Sequence, residues 1–365
     1  MKDFPLIRTP KGAVAGMAAL TLPILLLSLT PLTGLYALML VLLMLPAGMC
    51  LVAATGGLAP ACMGLAAGVV ACWRLCGHQG LVAGLVYLGC VFGAFLFVML
   101  RKPAFFKGCS VMILAHIFSL AGVYLYLQSL FQNQLYQAAG QAAAQFLSSL
   151  PEGDSLLVQL CSMGFIGLPD ALKEQPLVME NGLYALAPAV REDLLLSVSA
   201  MVESMVRSLM PMLLAEHSII SGVACMTLSQ RFGKIYHDRL SAAAGPAPAP
   251  FRDLGMPPLS LWHLPRGLGW KVGLCWAAGM LMQGGTGDTL SLAGAILFHA
   301  ANGVLSWQGA ALMNFTQKAK GTRRLMRVLV PFLFFIMGIL PFLGIFDQII
   351  NLRGLRKPPE PKEDQ

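Results

Sequence analysis

Apolar runs recur along the chain with little polar interruption. They cover 12–30, 33–54, 57–75, 80–100, 107–127, 208–228, 268–282, 290–316 and 328–350. A helix needs about 20 residues to cross about 30 Å of hydrocarbon, and most of these runs are near that length. The runs are continuous rather than alternating, which predicts helices and not the strands of a barrel. Lipid satisfies no backbone group, so few other structures are open to such segments. The expected fold is therefore all-α, a polytopic helical membrane protein with about nine transmembrane helices.

The stretch between the fifth and sixth runs has a different pattern. Phe131, Leu135, Ala138, Ala142 and Phe146 recur at helical spacing between glutamines. The fifth helix is expected to continue outward as an amphipathic helix. Pro151, Gly153, Pro169, Pro176 and Pro188 then punctuate short helices, and Pro188 suits the first turn of the next long one. Together these predict a small helical extracytoplasmic cap. By contrast, 242–250 is an Ala/Pro/Gly tract and reads as a flexible linker. The organisation read from the pattern is a five-helix membrane region at 1–128, an extracytoplasmic helical segment at 129–193 and a long sixth helix at 194–230. A cytoplasmic loop at 231–267, a three-helix membrane region at 268–350 and a charged tail at 351–365 complete it. Small residues four apart, at Ala15/Ala19, Gly64/Gly68 and Gly89/Gly93, would let helix backbones approach closely.

Charge sets the orientation. Only 12% of residues are charged, roughly half the fraction of a soluble chain. The formal charge of +8 follows the positive-inside rule rather than a nucleic-acid footprint. Basic residues gather at Lys2, Arg8 and Lys11, at Arg101, Lys102 and Lys107, between Arg231 and Lys271, and between Lys318 and Arg327. Acidic residues dominate the segment from Glu152 to Asp193. The N-terminus is thus expected in the cytoplasm of a bacterium and the chain in its inner membrane. The run 12–30 lacks a small-residue cleavage site and is expected to be retained. Nine spans would leave Arg353, Arg356 and Lys357 outside, against the rule. Either Pro341 and Gly344 break the last run into a hairpin, or the earlier loops override the tail; the second is the preferred reading. The nine cysteines form no loop-borne framework, so a disulfide scaffold is not expected.

Ionisable groups far from helix ends are costly in hydrocarbon and therefore informative. Glu216 and His217 lie near the middle of the sixth run, His116 near the middle of the fifth, and His299 with Asn302 near the middle of the eighth. Asn302 is three residues from His299, and Ser306 is one turn further on the same face. Their shared depth predicts a common ligand or ion site of His116, Glu216, His217, His299 and Asn302. The same residues could instead lock helices together by hydrogen bonds. A resident metal is not expected, because Glu216 and His217 are consecutive and point about 100° apart on a helix. Glu203 and Arg207 are spaced as a surface ion pair, and Lys271 lies near a helix end, where it can snorkel. Cys72 and Cys76 sit one turn apart at a helix end and read as packing residues. Glycines at 284, 285 and 287 follow the short seventh run. Gly285-Thr286-Gly287-Asp288 matches the short motif of presenilin-like intramembrane proteases, but Asp288 falls in a loop and no aspartate in another span makes a convincing partner. No phosphate loop, zincin helix or serine elbow appears, so the chain reads as neither an enzyme nor a holder of a cofactor.

Three stretches stand out together: Phe251-Arg252-Asp253 through Trp262-His263-Leu264-Pro265, then Asn302 with Trp307-Gln308-Gly309-Ala310, and finally Gly344-Ile345-Phe346-Asp347 followed by Arg353. In these the chain resembles the YybS-like family of bacterial membrane proteins. That family has no established activity. It looks distantly like the substrate-binding membrane subunits of energy-coupling-factor transporters, and Ala15-x-x-x-Ala19 is similar to the small-residue pattern with which those subunits meet their coupling partner. Those subunits are shorter and lack an outer cap. The resemblance implies a transport or substrate-binding component without its own ATPase. The alternative is a non-transporting scaffold for an envelope-assembly machine. Expected partners are the lipid bilayer, an ATPase with its transmembrane coupling subunit or envelope-assembly proteins, and an unidentified small molecule or ion. Nucleic acid is not among them.

Overall fold

A computed structural model describes residues 35–167, 178–180, 183–242, 253–284, 288–322 and 338–355, with a few isolated helical positions at 14–24 and 326–334. The first apolar run, the 242–250 linker beyond Ala242, Ala15/Ala19, the glycines at 285 and 287, and most of the basic cluster at 323–327 lie outside the described residues. The described chain is all but entirely helical. Among the described residues, four helices are long and apolar enough to cross a membrane. Contacts divide the chain into two compact units, one formed by 1–123 with 212–365 and the other by 124–211.

The larger unit begins with α1 (Leu35–Thr55) and α2 (Leu58–Arg101). Cys76 and Gly77 leave the helical region within α2, and Gly77 takes φ 61°, which a residue without a side chain adopts at low cost. The chain reverses there. A side chain at Gly84 would meet Cys72 and Val69, and one at Gly68 would meet Leu88, so 58–75 and 78–101 pack as an antiparallel hairpin. This gives the two separate runs expected at 57–75 and 80–100. α3 (Phe105–Leu130) follows and packs antiparallel to α7 (Ser218–Ala242), with Gly222 tight against Ile113 and Gly108 tight against Met226. Met49, Val52, Val91, Phe95, Val98, Met112 and Met226 form the buried core between these helices. Large apolar side chains such as Leu114, Phe118 and Leu125 point outward from α3, as a lipid-facing surface requires.

α8 (Arg266–Gln283) and α9 (Asp288–Ala319) are antiparallel, closely approached through Gly279 and Gly294. The final helix corrects the sequence reading. The chain turns at Gly338, with φ 65°, and α10 (Leu340–Ile350) starts with Pro341 in its first turn. At about 1.5 Å per residue, α10 is too short to cross about 30 Å alone, and the turn at Gly338 interrupts the run expected at 328–350. Phe342 packs on Trp276, while Gln348 Nε2 donates to the Leu264 carbonyl, 3.3 Å away. α10 therefore runs toward the end of the bundle where α8 begins.

Residues 253–265 were expected to be part of a loop. They form an ordered strap instead. Phe105 N donates to Leu254 O, Leu254 N donates to Gln230 Oε1, and Trp262 stacks against Phe105, Phe106 and Trp307.

The smaller unit contains the later part of α3, α4 (Leu135–Ser149), α5 (Gly153–Ser162), the strands β1 (Val178–Glu180) and β2 (Leu183–Ala185), and α6 (Pro188–Met212) up to Pro211. Pro188 opens α6 as its fixed φ favours. The expected continuation of the fifth helix through 131–146 does not occur. Gln132 and Asn133 adopt left-handed conformations, which end α3 at Leu130 and redirect α4. Phe131 and Phe146 are exposed, and Gly140 is the residue of α4 that is buried, against Ser199. The two strands pair antiparallel, an element the proline pattern did not suggest. Asp154 joins α5 to the ribbon by accepting from Leu186 N and to α6 through Arg191, 2.8 Å away. Leu157, Ile166, Val190, Leu194 and Val198 form this unit's core. Arg207 lies 3.1 Å from Glu203 as an exposed pair and also covers the Tyr136 ring. Burial and the hydrogen bond that the Tyr136 hydroxyl shares with Tyr124 push the Tyr136 phenol up to about 12.

Candidate functional site

α6 and α7 are continuous through one π-helical turn, Leu213–His217. Pro211 supplies no N–H to the preceding turn, which loosens the helix there. A π turn inserts an extra residue, and such turns are frequent at functional sites. Here it carries Glu216 and His217.

Glu216 faces α9. Its Oε2 accepts from His299 Nδ1 at 2.9 Å, and its Oε1 accepts from Asn302 Nδ2 at 2.8 Å. With the carboxylate ionised, only the imidazole can donate in that pair. Trp276 on α8 donates its indole N–H to Asn302 Oδ1 at 3.4 Å, which turns the amide so that its NH2 meets the carboxylate. Gly303 makes this approach possible, because a side chain there would press on Glu216 and Ile219 at 3.2 Å. Phe298 stacks between His299 and Trp276, walling the group with aromatic surface. A carboxylate and an imidazole so joined can hold one proton between them, or yield the carboxylate to a ligand that brings its own positive charge.

The five residues predicted to share a site separate into three groups. Glu216, His299 and Asn302 meet as described. His116 is fully buried and pairs elsewhere, with Tyr87 Oη 3.1 Å from its Nδ1 and Cys225 Sγ 3.7 Å from its Nε2. His217 turns to Ser221 on its own helix, with Nε2 3.0 Å from the hydroxyl. Similar depth along different helices does not fix which way each side chain faces. Among the described residues, no three His, Cys, Asp or Glu side chains converge as metal ligands.

A second polar cluster went unrecognised in the sequence. Arg353, almost completely buried, sets its Nη2 2.7 Å from Asp347 Oδ2 and its Nη1 2.9 Å from the Ser260 carbonyl. Gln308 Nε2 donates to the same carboxylate, and Gln308 Oε1 accepts from Leu264 N. The network ties α9, α10, the residues after α10 and the 253–265 strap together. Asp347 inside an apolar run was the available signal. Arg353 stood out only as a basic residue on the wrong side and as part of the resembling ending, and read with the charged tail it did not suggest a buried partner. No known protein family, curated protein or solved structure matches the chain.

Proposed function

We propose that the chain is a transport or substrate-binding component of a bacterial inner membrane, without an ATPase of its own, and that Glu216, His299 and Asn302 are its ligand site. The supporting observation is the contrast between the two acid-centred clusters. The Asp347–Arg353 pair is sealed, with side chains 4% and 1% exposed, as suits a lock between helices. The Glu216–His299 pair keeps 16% and 20% of its side-chain surface open and lies at a π turn between long apolar helices. Charged groups retained in such helices while still reachable mark binding or ion paths.

The finer topology belongs to the same proposal. The N-terminus and the 253–265 strap face the cytoplasm, and 129–193 forms a cap outside. The hydrogen bond from Arg353 to the Ser260 carbonyl supports a last apolar segment that enters and leaves on the cytoplasmic side. That replaces the expected nine spans by eight and a hairpin, and it brings Arg353, Arg356 and Lys357 into line with the other basic clusters. The resemblance to the YybS-like family rests on the three sequence stretches alone; in the fold those stretches share the Gln308–Asp347–Arg353 network.

The test is purification in a mild detergent, followed by identification of bound small molecules and proteins by mass spectrometry, for the wild type, Glu216→Gln and His299→Ala. A small molecule held by the wild type and lost from both variants at equal folded yield is the expected result, together with a co-purifying ATPase pair. Retention of the same molecules by both variants would overturn the site. Co-purification of cell-wall machinery, with both variants behaving as wild type in growth, would establish the scaffold instead.

A further inference from the structure

The Glu216–His299 pair uses one nitrogen of the imidazole. Nδ1 meets Glu216 Oε2 at 2.9 Å, and Nε2 has no partner among the described residues. The polar side-chain atoms that are both unpaired and closed to solvent are others, Gln317 Oε1 among them, so Nε2 opens on accessible space. Both carboxylate oxygens are engaged, Oε2 by His299 and Oε1 by the Asn302 amide. That amide is held the right way round, because the Trp276 indole only donates and takes Asn302 Oδ1. Nε2 is therefore the atom at which the group is still free to change its hydrogen bonding.

Two protonation states follow. With one proton in the Glu216–His299 bond, the pair carries one negative charge and Nε2 presents a lone pair. A second proton, taken from water, goes to Nε2 and brings the charge to zero, whichever end of the bond the first proton then occupies. Among the described residues, Glu216 is the titratable side chain that contacts the imidazole. On the elements packed against α9, His217 turns to Ser221, Cys225 to His116 and Asp347 to Arg353. Lys271, Cys275 and His263 are exposed, and Asp288 and Lys318 sit at the two ends of α9.

We propose that this site takes up and releases a proton at His299 Nε2, and that the proton is the ion it handles. The proposal rests on the reading of the cluster as the ligand site. It adds that a ligand offering an N–H or O–H to the same lone pair competes with that proton.

The full-length protein in lipid nanodiscs, ¹⁵N-labelled at histidine, has six imidazoles, and His299→Gln identifies the signals of His299. A titration from about pH 9 to about pH 5 spans the range in which imidazole ordinarily changes charge. At the alkaline end, His299 is expected to show a protonated Nδ1 and a bare Nε2. Acid should convert the Nε2 signal saturably to that of a protonated nitrogen. Glu216→Gln should abolish this conversion: Asn302 keeps the Gln oxygen, so the Gln NH2 donates to Nδ1 and Nε2 is protonated throughout. The wild-type titration decides the matter even if that variant does not fold. A bare Nε2 that ignores acid would overturn the proposal, as a nitrogen facing lipid. Protonation of Nε2 at every pH would overturn it as well. Mass spectrometry of bound molecules separates this from the wider reading. A molecule lost from Glu216→Gln, beside a wild-type His299 that takes no proton, removes the proton and keeps the ligand site. A His299 that loads a proton, in a protein whose Glu216→Gln and His299→Ala variants hold the same molecules as wild type, keeps the proton and removes the ligand site.

Discussion

Arg353 gives its guanidinium to Asp347 and to the Ser260 carbonyl while nearly excluded from solvent. Removing one partner of such a pair strands the other charge and typically costs about 3–5 kcal/mol. Arg353→Met and Asp347→Leu should each lower the unfolding free energy by that order, whereas the double substitution should cost less than the two single losses summed. Denaturant unfolding in detergent measures this, and additive losses would show that the two residues do not act as a pair. Asp253 is a milder case. The hydrogen bond from the Lys234 side chain, helped by the Gly255 N–H, holds its carboxyl below the usual range. A lowered folded pKa means that the contact stabilises above the ordinary carboxylate value of about 3.9 and is lost as pH falls through the lower folded value. The melting difference between wild type and Asp253→Asn should therefore be present at neutral pH and shrink progressively below about pH 4. Among the site residues, cost in hydrocarbon made Glu216, His299 and Asn302 legible from sequence. Their grouping with His116 was not, because depth along a run says nothing about rotation around the helix axis. The pairing of Arg353 with Asp347, six residues earlier, was not legible for a related reason, since it depends on the left-handed turn at Asn351 that folds the chain back after α10.

Glycines divide the helices into packed and open faces. A side chain at Gly222 would strike the Ile113 backbone, and one at Gly309 the Leu340 backbone, whereas nothing lies within 4 Å of Gly89 or Gly93. Gly222→Leu and Gly309→Leu should each cut folded yield severely, and Gly89→Leu and Gly93→Leu should leave it unchanged. Size-exclusion yield and melting temperature would check both arms; loss at Gly89 would mean that a partner covers that face. The sequence offered Gly64/Gly68 and Gly89/Gly93 as equivalent pairs, and only the first meets neighbouring side chains. Among the described residues, helix existence was legible where apolar runs were long, including both arms of the hairpin around Gly77. Breaks were harder. Gln132 and Asn133 are unremarkable polar residues until their left-handed backbone is seen, and the π turn after Pro211 leaves no mark on hydropathy. The β1–β2 ribbon, three residues per strand, is too short for any periodic signal.

For the molecule as a whole, the network around Asp347 predicts that the residue after α10 and the strap share one side of the membrane. Single cysteines at Gly255 and Gly354, in a background free of native cysteines, should react with an impermeant maleimide from the same face. Labelling of Gly255 and Gly354 from opposite faces would contradict the buried pair itself. The same feature has a consequence for the order of synthesis. The strap is made first, its Ser260 carbonyl waiting for a donor that the ribosome delivers more than 90 residues later. Fragments that end before Arg353 leave Asp347 without its counter-ion, and their 253–265 segment should be cut readily by protease. Extending such a fragment to residue 355 should protect it, so that the strap is secured only after α10 and Arg353 have been made.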